Sequence, residues 1–166
     1  FYEGRYFTSG EERITNFRLG EYEVPFGTNL LFCCEELPEL VLGCEICEDL
    51  WVADPPSTSH ALAGATVIAN LSASNETVSK DAYRELLVKS TSARLLCGYI
   101  YTSAGEGEST QDLVFGGHNL IAENGTLLAQ SSRFATGILY TDLDVFKISS
   151  ERRRMGTFGK QPTVSY

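Results

Sequence analysis

The sequence is short of positive charge. It holds 13 Lys and Arg against 22 Asp and Glu, a formal net charge of −9 at pH 7. Phosphate backbones are bound by clustered Lys and Arg, so nucleic acid is disfavoured as a partner. The main basic cluster is Arg152-Arg153-Arg154, and a run of three is more often a solvated or inter-domain patch than a binding site. Long apolar runs are missing as well. None approaches the roughly 18 residues that a membrane span requires, and no charged opening followed by an apolar stretch reads as a signal peptide. Histidine is down to His60 and His118, each more often structural in such contexts, which disfavours a Cys–His protease. Cys44-x-x-Cys47 has zinc-ligand spacing, but both fall in or beside a buried strand and no second Cys/His pair matches. A Gly-x-x-x-x-Gly-Lys phosphate loop is also absent. Met155 is the only methionine, and the chain opens without an initiator on aromatic Phe1-Tyr2. It is therefore expected to be a segment of something longer.

What is present is ordinary for a soluble globular domain. The 166 residues suffice for one core, with 43% hydrophobic and 21% charged residues. Five cysteines at irregular spacing (Cys33, Cys34, Cys44, Cys47, Cys97) argue against a disulfide framework and for reduced thiols in the cytoplasm. Three Asn-x-Ser/Thr triplets begin at Asn70, Asn75 and Asn124 and read as chance without a secretory context.

Patterning predicts an α/β order. Asn29–Cys34 suits a strand, broken by Glu35-Glu36-Leu37-Pro38. Leu40–Cys47 is a short apolar run that suits a buried strand. Pro55-Pro56-Ser57 opens a helix through Ala63. Ala65–Asn70 is a further buried strand, followed by the polar loop Ser72–Glu76. A helix is expected from about Ser79, its N-cap, to Leu96, and another buried strand over Cys97–Tyr101. Strand, helix, strand, helix, strand implies crossovers. Leu113–Ala122 and Thr126–Ala129 flank Glu123-Asn124-Gly125, a strong hairpin signal. Gly137–Val145 is expected as a last strand, and the polar, basic stretch 149–166 as a linker.

Cys47 is the outstanding candidate for chemistry. It follows an apolar strand and precedes Glu48-Asp49, so the strand would hold it rigidly at a cleft. A thiolate is a strong nucleophile toward amide carbonyls. From spacing alone, one more buried thiol is the commoner reading.

Resemblance shifts that weighting. Gly43-Cys44-Glu45-Ile46-Cys47-Glu48-Asp49-Leu50-Trp51 resembles the nucleophile motif of the nitrilase (carbon–nitrogen hydrolase) superfamily. More narrowly, it is similar to the form in glutaminase domains of bacterial-type glutamine-dependent NAD synthetases. Phe1-Tyr2-Glu3-Gly4-Arg5, Ala63–Thr66, Asn70–Ser74, Gly105–Thr110 with Asp112–Phe115, and Glu151–Met155 resemble further segments in order. The resemblance implies a nitrilase-like four-layer α-β-β-α sandwich, present here as its C-terminal portion over residues 1–148, with 149–166 leading toward an absent synthetase domain.

It further implies a Glu–Lys–Cys constellation. Cys47 is then the nucleophile, the N–H of Glu48 an oxyanion donor, and Glu3 a second glutamate that positions lysine and substrate. Phe1, Ser74 and Lys80 fall at substrate-binding positions, the last two where the α-carboxylate and α-amine of L-glutamine are recognised. The catalytic lysine and the general-base glutamate would lie upstream of Phe1, so the segment alone is expected to be inactive. The implied partners are L-glutamine, an ammonia-accepting NAD synthetase domain of the same parent chain, and further copies of the protein; no nucleic acid or membrane is expected. No metal or cofactor is expected in this segment, ATP and magnesium belonging to the synthetase domain. Ammonia would serve NAD synthesis from deamido-NAD. Two alternatives stay open: a nitrilase-type amidase on another small amide, and a non-catalytic nitrilase-like scaffold.

Overall fold

Residues 3–8, 10, 14–108 and 112–159 are described by the computed structural model; of Glu3 only the backbone is described. The chain divides into two units, 1–30 and 31–166. In the first, a single helical turn, α1 (Glu3–Tyr6), precedes a hairpin of β1 (Thr15–Leu19) and β2 (Tyr22–Phe26). The strands pair antiparallel from Thr15↔Phe26 to Leu19↔Tyr22. The two-residue turn starts at Gly20, whose φ of 64° suits the primed turns that match strand twist.

The second unit is built on one six-stranded sheet. β3 (Leu31–Cys33), β4 (Val41–Ile46), β5 (Val67–Ser72), β6 (Gly98–Ser103), β7 (Leu120–Glu123) and β8 (Thr126–Gln130) stand side by side in chain order. The central β4, β5 and β6 run parallel, and the others join antiparallel. Helix α2 (Pro56–Leu62) returns the chain from β4 to β5, and α3 (Lys80–Leu95) from β5 to β6. This is the crossover order read from the sequence. Pro56 occupies the first helical turn of α2, where a missing N–H costs nothing. Ser79 stands at the N-cap of α3 as expected, but with φ 66° and no side-chain capping bond.

Period-2 alternation sorts the sheet residues by face. Registered rows put Ile68, Tyr99 and Ala122 together, and Glu45, Asn70, Tyr101 and Leu120 together, all buried. Val88 and Leu95 of α3 and Ala61 of α2 close the same core. The β7–β8 hairpin turns through Asn124 and Gly125, at φ 46° and 86°, the left-handed pair that the Asn-Gly signal predicts. Among the described residues, no helix is long and apolar enough to cross a membrane.

Three sequence expectations meet a different outcome. The strand expected over Leu113–Ala122 is confined to Leu120–Glu123, with one isolated bridge from Phe115 to Asn75. Gly137–Val145 forms no strand. Ile138 and Tyr140 lie on the surface, and Asp144 instead caps α4 (Val145–Arg154), its Oδ1 accepting from Lys147 N at 2.8 Å. Finally, the part of the expected linker from 149 to 154 is the second half of α4. Arg152 docks it, donating to the carbonyls of Leu96 at 2.8 Å, Ala65 at 2.6 Å and Leu95 at 3.0 Å.

Candidate active site

The C-terminal ends of parallel strands are where a helix-covered sheet exposes its loops to ligands. Cys47 sits there, at the first residue of a 3₁₀ turn (Cys47–Trp51) that begins where β4 ends. Its φ is +50°, a left-handed conformation that side chains other than glycine rarely adopt. The residue is partly exposed, unlike its neighbours Glu45 and Leu50. Asp49 locks the turn: its Oδ2 accepts from Ile46 N at 2.7 Å.

Beneath Cys47 lies a buried polar cluster. Asn70 Oδ1 accepts from Cys47 N at 3.2 Å, and Asn70 Nδ2 donates to Cys47 O at 3.5 Å. Ser72 Oγ donates to the same Oδ1 at 2.8 Å, and Asn70 Nδ2 also faces Glu45 Oε1 at 3.5 Å. Glu45 Oε2 accepts from Ser57 N, in the first turn of α2, at 2.9 Å; Tyr99 Oη donates to Oε1. Burial, and next the Glu45 charge, hold the Tyr99 hydroxyl far above its ordinary pKa, so it stays a donor.

Lys80 approaches from the start of α3. Its Nζ donates to Asn75 Oδ1 at 2.5 Å and lies 5.2 Å from the centre of the Trp51 ring. Burial lowers its pKa, as does Arg84; Glu76 and Cys47 act in the opposite sense. Behind it, fully buried Arg84 pairs with Glu76 Oε1 at 2.7 Å and contacts His118 Nδ1 at 3.0 Å. Burial, then Arg84, push the His118 pKa down, so the neutral ring accepts from the guanidinium. Glu76 also faces Gly116, where an added Cβ would lie 2.5 Å from its Cγ.

The structure thus brings Lys80, through Trp51, to the turn that Cys47 and the exposed Glu48 open. Ser74 is buried in the loop between β5 and α3, the loop that also carries Asn75 and Glu76. Phe1 lies outside the described residues, as do Ser109 and Thr110 of the Gly105 segment. Glu3 is in α1, in the other unit, and its side chain is not described. Sequence reasoning missed the support under Cys47. The signal was available: Glu45 and Asn70 are polar residues inside two runs otherwise apolar enough to be buried strands. Among the described residues, no group of three or more His, Cys, Asp or Glu is placed to hold a metal.

A glutamine-dependent NAD(+) synthetase of Mycobacterium tuberculosis H37Rv is 51% identical over 160 residues, covering 95% of this chain and 24% of that protein. The crystal structure of a glutamine-dependent NAD(+) synthetase from Cytophaga hutchinsonii aligns at a TM-score of 0.65 and 32% identity, over 80% of this chain and 20% of that one. Saccharomyces cerevisiae Nit3, a member of branch 10 of the nitrilase superfamily, aligns at a TM-score of 0.61 and 22% identity, over 72% of this chain and 43% of that one, a likeness of fold. The chain spans about a quarter of the length of the curated relative it matches. The fold is the nitrilase-like α-β-β-α sandwich in part, one sheet with the helices that cover it. Residues 2–153 match the carbon-nitrogen hydrolase family, a span that takes in Cys47 and everything packed beneath it, and the chain belongs to that family.

Proposed function

We propose that this domain hydrolyses the side-chain amide of glutamine through a thioester on Cys47, and that the ammonia released serves NAD synthesis from deamido-NAD. The observation that carries the reading is the placement of Cys47. It stands at a strand end, partly exposed, in a left-handed conformation, and opens the turn whose Trp51 ring lies 5.2 Å from Lys80 Nζ. The names of the relatives supply the substrate: a glutamine-dependent synthetase needs an amide-hydrolysing site to obtain its nitrogen.

The chemistry follows from the turn. Cys47 Sγ attacks the amide carbon, and the carbonyl oxygen takes up negative charge. The backbone N–H of Cys47 is already held by Asn70 Oδ1. The next N–H, that of Glu48, lies in the first turn of a helical segment, where amides lack partners within the turn. It is the donor for the oxyanion. The C–N bond then breaks, ammonia leaves with a proton, and water cleaves the thioester to glutamate. On the resemblance, the acid–base glutamate and a lysine upstream of Phe1 move those protons and share the oxyanion. Ser74 and Lys80 hold the α-carboxylate and α-amine end of the substrate, and Glu3 supports the lysine.

The test uses the whole enzyme, hydrolase and synthetase together. Cys47→Ala should lower glutamine-driven NAD formation by at least about 10³-fold, the scale of losing a nucleophile that works as part of a unit. NAD formation from added ammonia should stay within about twofold. Glutamine-driven synthesis surviving in the variant would reject Cys47 as the nucleophile. Loss of both activities would reject the separation of the two chemistries.

A further inference from the structure

A non-glycine residue at φ +50° persists only where its surroundings over-determine it. Asp49 holds the turn at Ile46 N, and one further side chain holds Cys47 itself. Asn70 grips the cysteine's backbone at both ends, accepting from its N–H and donating to its carbonyl. We propose that Asn70 is the positioning residue for the nucleophile, and that Glu45 orients Asn70. This rests on the reading of Cys47 as nucleophile.

The polarity of the grip is fixed by its neighbours. An amide can turn over by exchanging its oxygen and nitrogen ends. A carboxylate accepts only, so Glu45 Oε1 admits the Nδ2 end of Asn70 and not the Oδ1 end. The Cys47 N–H, which only donates, and the Cys47 carbonyl, which only accepts, select the same orientation, and Ser72 Oγ adds a second donor to Oδ1. Glu45 is itself immobilised by Ser57 N in the first turn of α2 and by the Tyr99 hydroxyl. The chain of contacts therefore runs from α2 and β6, through Glu45 and Asn70, to the peptide units flanking the Cys47 Cα. Fixing those units fixes the direction of the Cα–Cβ bond and with it the place of Sγ.

Burial separates this from an ordinary strand asparagine. Asn70 is 0% exposed and Glu45 2% exposed, in the middle strands of the sheet. Polar groups so deep are costly unless paired, and an apolar pair would serve the core as well. Their pairing ends on the nucleophile's backbone. Asn70 touches no reacting atom, so its effect is on the alignment of attack, where a misplacement of about 1 Å costs on the order of 10² in rate.

The experiment is steady-state kinetics on the whole enzyme with Asn70→Ala and Glu45→Gln, beside Cys47→Ala. Asn70→Ala is expected to lower kcat for glutamine hydrolysis about 10²-fold, with KM for glutamine within about threefold. Alkylation of Cys47 by iodoacetamide and ammonia-driven synthesis should both persist, since neither needs an aligned attack. Glu45→Gln is expected to lower kcat about tenfold, again with KM kept, and it decides the matter if Asn70→Ala does not fold. A folded Asn70→Ala enzyme with kcat within threefold of the parent overturns the proposal. So does a variant that loses activity through KM alone, or a Glu45→Gln enzyme with unchanged kcat. If Cys47→Ala itself retains glutamine hydrolysis, the nucleophile assignment has failed and this proposal with it; a silent Asn70 beside a dead Cys47→Ala sinks the positioning role alone.

Discussion

His60 shows how far a single residue's role hides from sequence. It is one of only two histidines, sits in α2, and is 4% exposed, and neither ring nitrogen has a hydrogen-bond partner among the described residues. Its ring packs on Gly43 of β4, where an added Cβ would come within 3.0 Å of it. Burial lowers its pKa from the ordinary 6.5, with Glu45 and Asp49 pulling the other way. His118 is lowered too, by burial and Arg84, against Gln130, Glu76 and Asp81. Both bind fewer protons folded than unfolded, so stability rises with pH. Their contribution is fully present above pH 6.5 and is lost as pH falls from there toward the lowered folded values. The melting temperature should drop between pH 7 and 5, and His60→Leu should flatten that drop. A melting temperature level across the range would contradict the buried neutral state. At this scale the strand-end position of Cys47 was legible from an apolar run followed by acids, whereas its reading as a nucleophile came from the resemblance. Asn70 carried a signal, a polar residue inside an apolar run, but what its amide holds is set by tertiary pairing.

Elements were legible where local rules dominate. The Asn124-Gly125 turn, Pro56 in the first turn of α2 and the parallel core strands all follow from residue type and period. The tail misled because its meaning is long-range. Charge and polarity after Ile148 resemble a linker, yet Arg152 reaches back to carbonyls around the C-terminal ends of α2 and α3. A helix leaves its last carbonyls unpaired, and a planar guanidinium satisfies several at once. Phe158 covers the guanidinium at 4.7 Å. Removing a charged donor from such groups typically costs about 1.5–3 kcal/mol. Arg152→Ala should therefore lower unfolding free energy by about 2–4 kcal/mol in urea titrations, the upper part reflecting carbonyls left dry. Arg153→Ala, one residue on and exposed, should stay within about 0.5 kcal/mol. Equal effects of the two would show that α4 is only appended.

For the molecule as a whole, the informative surface is the sheet face turned away from α2 and α3. Alternation puts Leu42, Cys44 and Ile46 of β4 there, beside Val67, Ala69 and Leu71 of β5. Ile46 is 67% exposed and Leu71 55%, and a groove of about 560 Å³ runs among Phe32, Leu40, Leu42, Val67, Ile100 and Leu143. Patterning could not reveal this: a strand buried on one face and one waiting for a second layer are both apolar runs. The sandwich came from the resemblance, and in that fold a second sheet lies on such a face. Left open, an apolar patch of this kind drives association, since each Å² removed from water is worth roughly 25 cal/mol. The 166-residue chain studied by itself should therefore self-associate and bind an apolar dye, and salt should strengthen rather than weaken the association. Sedimentation equilibrium decides. A monodisperse species at 18.2 kDa that ignores the dye would mean the face is covered from within the chain. Oligomers that dissociate when Ile46 and Leu71 are both replaced by Ser would assign the association to this face and to no other.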